Sequence, residues 1–185
     1  MDRRQKKTRV AILAAFIKLL QNNRFSEITV QDIIDEADVG RSTFYAHFEG
    51  KDDLMAALCG SIFDRLRLQD VDRTGEEQPD LKDALTIQFA RLKENSHNVR
   101  ILMKSENLGM FSIYFREYLM GMFEQYDLPV PRTVSMNYYR WYLAGAFQDT
   151  LGYWLENGMF EAPGEIADML MAVVGLEDME ARSAG

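Results

Sequence analysis

The stretch Thr29-Val-Gln-Asp-Ile-Ile-Asp-Glu-Ala-Asp-Val-Gly-Arg-Ser-Thr-Phe-Tyr-Ala-His-Phe48 decides how this chain is read. Thr29 suits an N-cap, and Val30, Ile33, Ile34 and Ala37 follow at the spacing of one buried helical face. Asp38-Val39-Gly40 reads as a turn, because Asp tolerates left-handed backbone and Gly can cap the next helix. A short second helix from Arg41 to about Phe48 then sets Phe44 and Phe48 four apart on one side. Its other side offers Arg41, Ser42, Thr43, Tyr45 and His47, with Lys51 just beyond.

Helix, tight turn and short second helix make the helix-turn-helix layout. In that layout the first helix braces the second, whose outer face brings small polar and cationic groups to base edges and phosphates. Arg reads guanine bidentately, and Ser and Thr bond either a base edge or a phosphate. Tyr45, His47 and Lys51 suit phosphate oxygens and fix register rather than sequence. Thr29 and Gln31 open the bracing helix, where free amides and the positive dipole end favour a phosphate. Spacing by itself also fits a purely structural helical hairpin with a polar outer face.

Outward from this stretch the periodicity stays helical, and no segment alternates with period two. A helix over about Lys6–Gln21 is expected to bury Val10, Leu13, Ile17 and Leu20. Ahead of it Arg3, Arg4, Lys6 and Lys7 read as a flexible cationic arm for the DNA backbone or minor groove. A longer helix from about Lys51 carries Leu54, Leu58, Ile62 and Leu66 at steps of four, with Asp52 and Asp53 in its positive first turn. Asp70 to Gln78 is polar and acidic and reads as an exposed loop. Further helices are predicted at about 80–95, 98–106, 111–125, 133–157 and 164–174, with all four prolines between periodic segments. The expected fold is all-α: an N-terminal three-helix helix-turn-helix domain (1–50) and a larger helical bundle (51–185), about nine helices in all.

Composition limits the remaining choices. The 185 residues are 47% hydrophobic and 27% charged, the balance of a globular chain long enough for a sizeable core. Cys59 is the only cysteine and His47 and His97 the only histidines, which excludes an internal disulfide and a cysteine- or histidine-rich metal site. Cys59 is expected to be a small buried residue. No apolar run approaches the ~20 residues needed to cross a bilayer, and no secretory signal opens the chain, so a cytoplasmic setting is expected. The net charge of −8 is unevenly spread: residues 1–51 hold nine cations against seven acids, and the remainder twelve against twenty-two. A mildly basic head thus precedes a strongly acidic body. No phosphate-cradling loop, nucleophile elbow or metal constellation is present, so neither an enzyme nor a cofactor is expected.

Residues 29–54, and above all Thr-Phe-Tyr-x-His-Phe-x-x-Lys from Thr43 to Lys51, resemble the DNA-binding signature of the tetracycline-repressor (TetR/AcrR) family. The resemblance covers about residues 8–55. It implies that Thr29 takes a phosphate, that Gln31 approaches bases, and that Arg41, Ser42 and Thr43 face bases. It assigns phosphates to Tyr45, His47 and Lys51. Two positions depart from the family pattern: Gly40 stands in place of a capping serine, and Ala46 in place of an aromatic or polar residue.

The resemblance also implies a small-molecule pocket and a homodimer interface in the C-terminal helices. Phe111, Tyr114, Tyr118, Tyr138 and Tyr142 are the pocket candidates, being aromatic with hydroxyls to orient a ligand. Gly145, Gly152 and Trp154 on the longest helix, with Ile166, Met169, Leu170 and Val173 on the last, are the interface candidates. The function so implied is a regulator that binds a palindromic double-stranded DNA operator as a dimer. An unidentified effector would release this repressor from DNA. A co-activator of the same fold, acting on another protein, is the alternative.

Overall fold

Apolar residues recurring every three or four positions, punctuated by caps and prolines, give helices and nothing else among the described residues of the computed structural model, which are 3–66, 79–104 and 108–176. In order they are α1 (Arg3–Asn22), α2 (Val30–Ala37), α3 (Arg41–Tyr45), α4 (Lys51–Leu66) and α5 (Leu81–Glu94). Then come α6 (Ser96–Lys104), α7 (Leu108–Phe123), α8 (Met136–Glu156) and α9 (Pro163–Val173). The all-α expectation and the helix number agree with this. The acidic segment 70–78 lies outside the described residues.

The helices pack as two units. The first holds α1 to α3, α4 as far as Asp64, α6 from His97 and the start of α7 to Phe111. The second holds the end of α4 from Arg65, α5, α7 from Ser112, α8 and α9.

In the first unit α1 buries Ile12, Ala15, Phe16 and Leu20. This corrects the expected face: Leu20 is shared, but Val10 is exposed and Leu13 and Ile17 are half-buried. Two apolar stripes compete on this helix, and the one bearing Phe16 turns inward. Its ring meets Phe25 edge-on at 6.1 Å and removes more surface from water than Val10 would.

The start of α2 is held by a reciprocal cap. Thr29 Oγ1 accepts from the Asp32 backbone N–H at 3.2 Å, and the Asp32 carboxylate accepts from the Thr29 N–H at 2.8 Å and from its hydroxyl at 2.7 Å. These bonds lower the pKa of Asp32, the hydroxyl contributing most. The helix ends at Asp38, whose φ of 50° is the left-handed conformation expected of the turn. Along α4, Leu54, Leu58, Ile62 and Leu66 are all buried as their four-residue steps predict. Cys59 lies among them, and burial pushes its thiol up to about 11, which makes it inert.

The core of the second unit is aromatic. Phe89 of α5 stacks on Phe147 of α8 at 4.4 Å and meets Trp154 edge-on at 5.6 Å, while Phe115 of α7 closes on Phe147 at 5.8 Å. Asp80 caps α5 by accepting from the Asp83 N–H at 2.8 Å. Between α8 and α9 the chain turns through Gly158 and Met159, both at positive φ, and Lys93 Nζ fastens this turn by donating to the Met159 carbonyl at 2.8 Å. One buried side chain is polar by necessity. Gln88 donates to the Leu66 carbonyl at the end of α4 at 2.9 Å and accepts from the Tyr118 hydroxyl at 3.1 Å. Arg91 donates to the same carbonyl at 3.1 Å, so the end of α4 is capped from α5.

Three outcomes follow for stability. Phe89→Ala removes the ring shared by Phe147 and Trp154 and should cost about 3–5 kcal/mol in chemical denaturation, whereas a loss under 1 kcal/mol would contradict this core. Thr29→Ala should cost about 1 kcal/mol through the lost cap. Because the folded-state pKa of Asp32 lies below its unfolded value of about 3.9, its contribution is present above that pH and lost as pH falls through the folded value. Asp32→Asn should therefore flatten the acid limb of a melting-temperature profile below about pH 4, and an unchanged limb would show that the cap does not titrate.

Candidate nucleic-acid interface

The short α3 exists because of what lies behind it. Phe44 and Phe48 are buried at 0% and 2% exposure, whereas Arg41, Ser42 and Tyr45 on the opposite side are exposed. Thr43 and His47 are half-buried at the margins. Regular helix ends at Tyr45, earlier than the expected Phe48, and a turn at Ala46 and His47 carries Phe48 back under Phe44. Gly40 provides no side-chain cap, as its lack of a hydroxyl dictates.

The polar face is organised before any ligand arrives. Arg41 Nη1 donates to Gln31 Oε1 at 3.4 Å, and Gln31 Nε2 donates to Asp35 Oδ1 at 2.8 Å. The Arg41 guanidinium also lies 5.7 Å over the ring of Tyr45, one turn along. Arg41 and Gln31, both expected at bases, are therefore neighbours across the α2–α3 turn. The Thr29 hydroxyl is engaged with Asp32 in the cap.

Two cations have structural work that sequence does not reveal. Lys51 Nζ donates to the Phe25 carbonyl at 3.1 Å and the Ile28 carbonyl at 3.2 Å, and lies 4.5 Å over the Phe25 ring. Two of its three N–H groups thus brace the loop leading into α2, leaving one for a phosphate. Arg9, not singled out above, lies 4.4 Å over Phe48 and donates to the His47 carbonyl at 3.3 Å. It pins the end of the α3 segment to α1. Its place in a basic run hides this in the sequence.

The expected arm is not an extension. Arg3, Arg4, Lys6 and Lys7 lie on the first turns of α1, exposed, because Arg, Gln and Lys are good helix formers. Cations at a helix N-terminus oppose the macrodipole, and no acid occupies that first turn. Intrahelical electrostatics therefore does not account for them.

The C-terminal candidates scatter. Phe111 is buried in the first unit against Phe63 at 6.0 Å, while Tyr114, Tyr138 and Tyr142 of the second unit are exposed. Only Tyr118 is half-buried there, with its hydroxyl on Gln88. Among the interface candidates Trp154, Ile166 and Leu170 are buried within the chain's own core, Gly145 and Gly152 are half-buried, and Met169 and Val173 are exposed. The space beside Gly145 is filled by the Arg116 guanidinium, whose Nη1 would lie 3.5 Å from a Cβ there. Trp141, Tyr153 and Phe160 are further exposed aromatics. His97 is exposed and shares a hydrogen bond with Gln21 at 2.8 Å. Among the described residues no helix is long and apolar enough to cross a membrane, and no three His, Cys, Asp or Glu side chains gather as metal ligands would.

Comparison with known proteins agrees with the geometry. The bacterial regulatory proteins of the tetR family match residues 12–58, and a transcriptional regulator C-terminal region matches residues 80–175, over half the chain. A TetR transcriptional regulator from Streptococcus agalactiae 2603V is 32% identical, with 94% of this chain and 96% of that one covered and a TM-score of 0.72. The uncharacterised HTH-type regulator YxbF of Bacillus subtilis (strain 168) is 33% identical over 37% of this chain and 19% of its own length. The dhaKLM operon transcriptional activator DhaS of Lactococcus lactis subsp. lactis (strain IL1403) is 34% identical over 32% of each. The chain thus spans a third or less of the length of these two named relatives. With a helix-turn-helix of the right form and a match along nearly its whole length, the chain belongs to the tetracycline-repressor family of bacterial regulatory proteins.

Proposed function

We propose that this chain is a ligand-responsive transcriptional regulator that binds a palindromic double-stranded DNA operator as a homodimer and acts in the cytoplasm. Residues 1–50 bind DNA, and residues 51–185 bind an effector and a second subunit. The observation that carries this reading is the two-sided α3: aromatics sealed behind, and Arg41, Ser42 and Tyr45 presented in front. Arg41, Ser42, Thr43 and Gln31 read bases. Tyr45, His47 and the remaining N–H of Lys51 hold phosphates, Thr29 joins them when its hydroxyl turns from Asp32, and Arg3, Arg4, Lys6 and Lys7 reach the flanking backbone. Such a function needs neither a catalytic residue nor a cofactor.

Two subunits related by a twofold axis would set their α3 helices ~34 Å apart, one turn of DNA. The effector binds the C-terminal bundle, and Tyr118 is the lining candidate with a path outward. Its hydroxyl holds Gln88, whose amide holds the last carbonyl of α4. A ligand that displaces this hydroxyl moves the end of α4, the helix whose other end begins at Lys51 beside the DNA-binding residues. Release requires tighter effector binding to the DNA-incompetent state, by typically 1–3 kcal/mol. Repression relieved by effector is the preferred sign. The activator DhaS among the relatives shows that the fold also serves activation.

Fluorescence anisotropy on the promoter beside the chain's own gene, at several salt concentrations, tests the reading. Arg41→Ala should lose about 1–3 kcal/mol on the preferred sequence and relax the preference there. Lys6→Gln with Lys7→Gln should weaken all sequences alike and lower the slope of log affinity against log salt by roughly 1–2. An Arg41→Ala protein with its preference intact would remove the base-reading role. If the wild-type chain binds no duplex, the co-activator alternative takes its place.

A further inference from the structure

Asp35 stands where local electrostatics disfavours it. It lies exposed in the last turn of α2, where the negative end of the helix dipole opposes a carboxylate and no basic residue shares the turn. Its neighbour Glu36 pairs with Lys18 of α1, but no cation pairs with Asp35 among the described residues. The side chain is engaged instead with an amide: Gln31, one turn earlier, donates from Nε2 to Asp35 Oδ1 at 2.8 Å.

A glutamine amide has an accepting end and a donating end, and its partners decide which way it faces. An ionised carboxylate only accepts, so Asp35 draws the NH2 of Gln31 and turns the carbonyl toward Arg41. Arg41 Nη1 donates to that carbonyl at 3.4 Å, while the guanidinium lies 5.7 Å over the Tyr45 ring. With the amide reversed, an NH2 would meet a guanidinium, donor against donor, and Arg41 would lose this partner. Held at Nη1 and over a ring, Arg41 keeps its Nε–H and Nη2 edge free of hydrogen bonds among the described residues. Two donors on one edge match the N7 and O6 acceptors of guanine, a pair that no other base shows in the major groove. Gln31 is drawn away from the paired contact glutamine makes with adenine, because the adenine amino group would have to share the amide oxygen with a cation. It keeps one N–H for a single acceptor.

We propose that Asp35 is a positioning residue which, through the Gln31 amide, sets Arg41 to read a guanine in each operator half-site. The inference rests on the base-reading role given to Arg41 above, and it names the base and the residue that selects for it. Asp35 itself touches no base. Its charge opposes the α2 dipole and repels nearby phosphates, so removing it should act with opposite signs on specific and on non-specific binding.

The test uses the full chain and duplexes that the wild type selects from a random pool. These should carry a guanine at one fixed place in each half-site, and 7-deazaguanine there, which lacks N7, should weaken binding about tenfold in fluorescence anisotropy. Asp35→Ala should relax the preference at that same base pair about tenfold, yet bind a scrambled duplex at least as tightly as the wild type does. A merely structural role would weaken both. Asp35→Glu, whose carboxylate still reaches an amide one turn earlier, should keep the preference. Position 35 is exposed and alanine is the best helix former, so the variant should fold, which circular dichroism verifies. Selected duplexes without that guanine, or an Asp35→Ala protein with its preference intact, would overturn the relay. Arg41→Ala should relax the same base pair in either case, which keeps base reading separate from the relay. If Asp35→Ala relaxes a different base pair from Arg41→Ala, Asp35 contacts a base directly and the relay falls. If Arg41→Ala also leaves the preference unchanged, the relay and the base-reading role fall together.

Discussion

A five-residue helix has no stability of its own in water, so the position of α3 depends on Phe44 and Phe48 being buried behind it. Nucleating a helix fixes several dihedrals for one hydrogen bond, and only the tertiary burial of two rings offsets that. Everything asked of Arg41, Ser42 and Tyr45 presupposes this wedge. Arg9 stacked on Phe48 and Lys51 bonded to the carbonyls of Phe25 and Ile28 reinforce it from two sides. These contacts hold the polar face in one orientation before DNA arrives, which lowers the ordering cost of binding.

The second unit solves a different problem. Its core is built from rings that stack across α5, α7 and α8, and this leaves little apolar need on the outer side of α8. That side is nevertheless aromatic. Tyr138, Trp141, Tyr142 and Tyr153 are all exposed there.

Local rules read well from the chain because their partners are a few residues apart. The Thr29 cap, the left-handed Asp38 and the four-residue steps of α4 all belong to this class. Choices among faces did not, where apolar residues surround a helix. On α1 two stripes were plausible and the bulkier ring prevailed. On α8 the two tryptophans are thirteen residues apart, which places Trp141 and Trp154 on nearly opposite sides, and periodicity alone does not say which turns inward. The destinations of Lys51 and Arg9 were hidden for another reason. A cation that reaches a distant carbonyl and one that waits for a phosphate have the same spelling. Likewise, among the aromatic pocket candidates Phe111 lies in a core, Tyr118 makes a part-buried hydrogen bond and Tyr114, Tyr138 and Tyr142 lie on the surface.

The central claim is that the exposed side of α3 lies against base edges. Cys59 is buried with its thiol pushed up to about 11, so it does not compete for thiol-directed labelling. A photocrosslinker attached through Ser42→Cys can therefore be placed on DNA selected for binding. The account predicts crosslinks to bases within each half-site, at far higher yield than from the same label attached through Asp168→Cys on α9. Equal yields from the two positions, or crosslinks from Asp168→Cys alone, would contradict it.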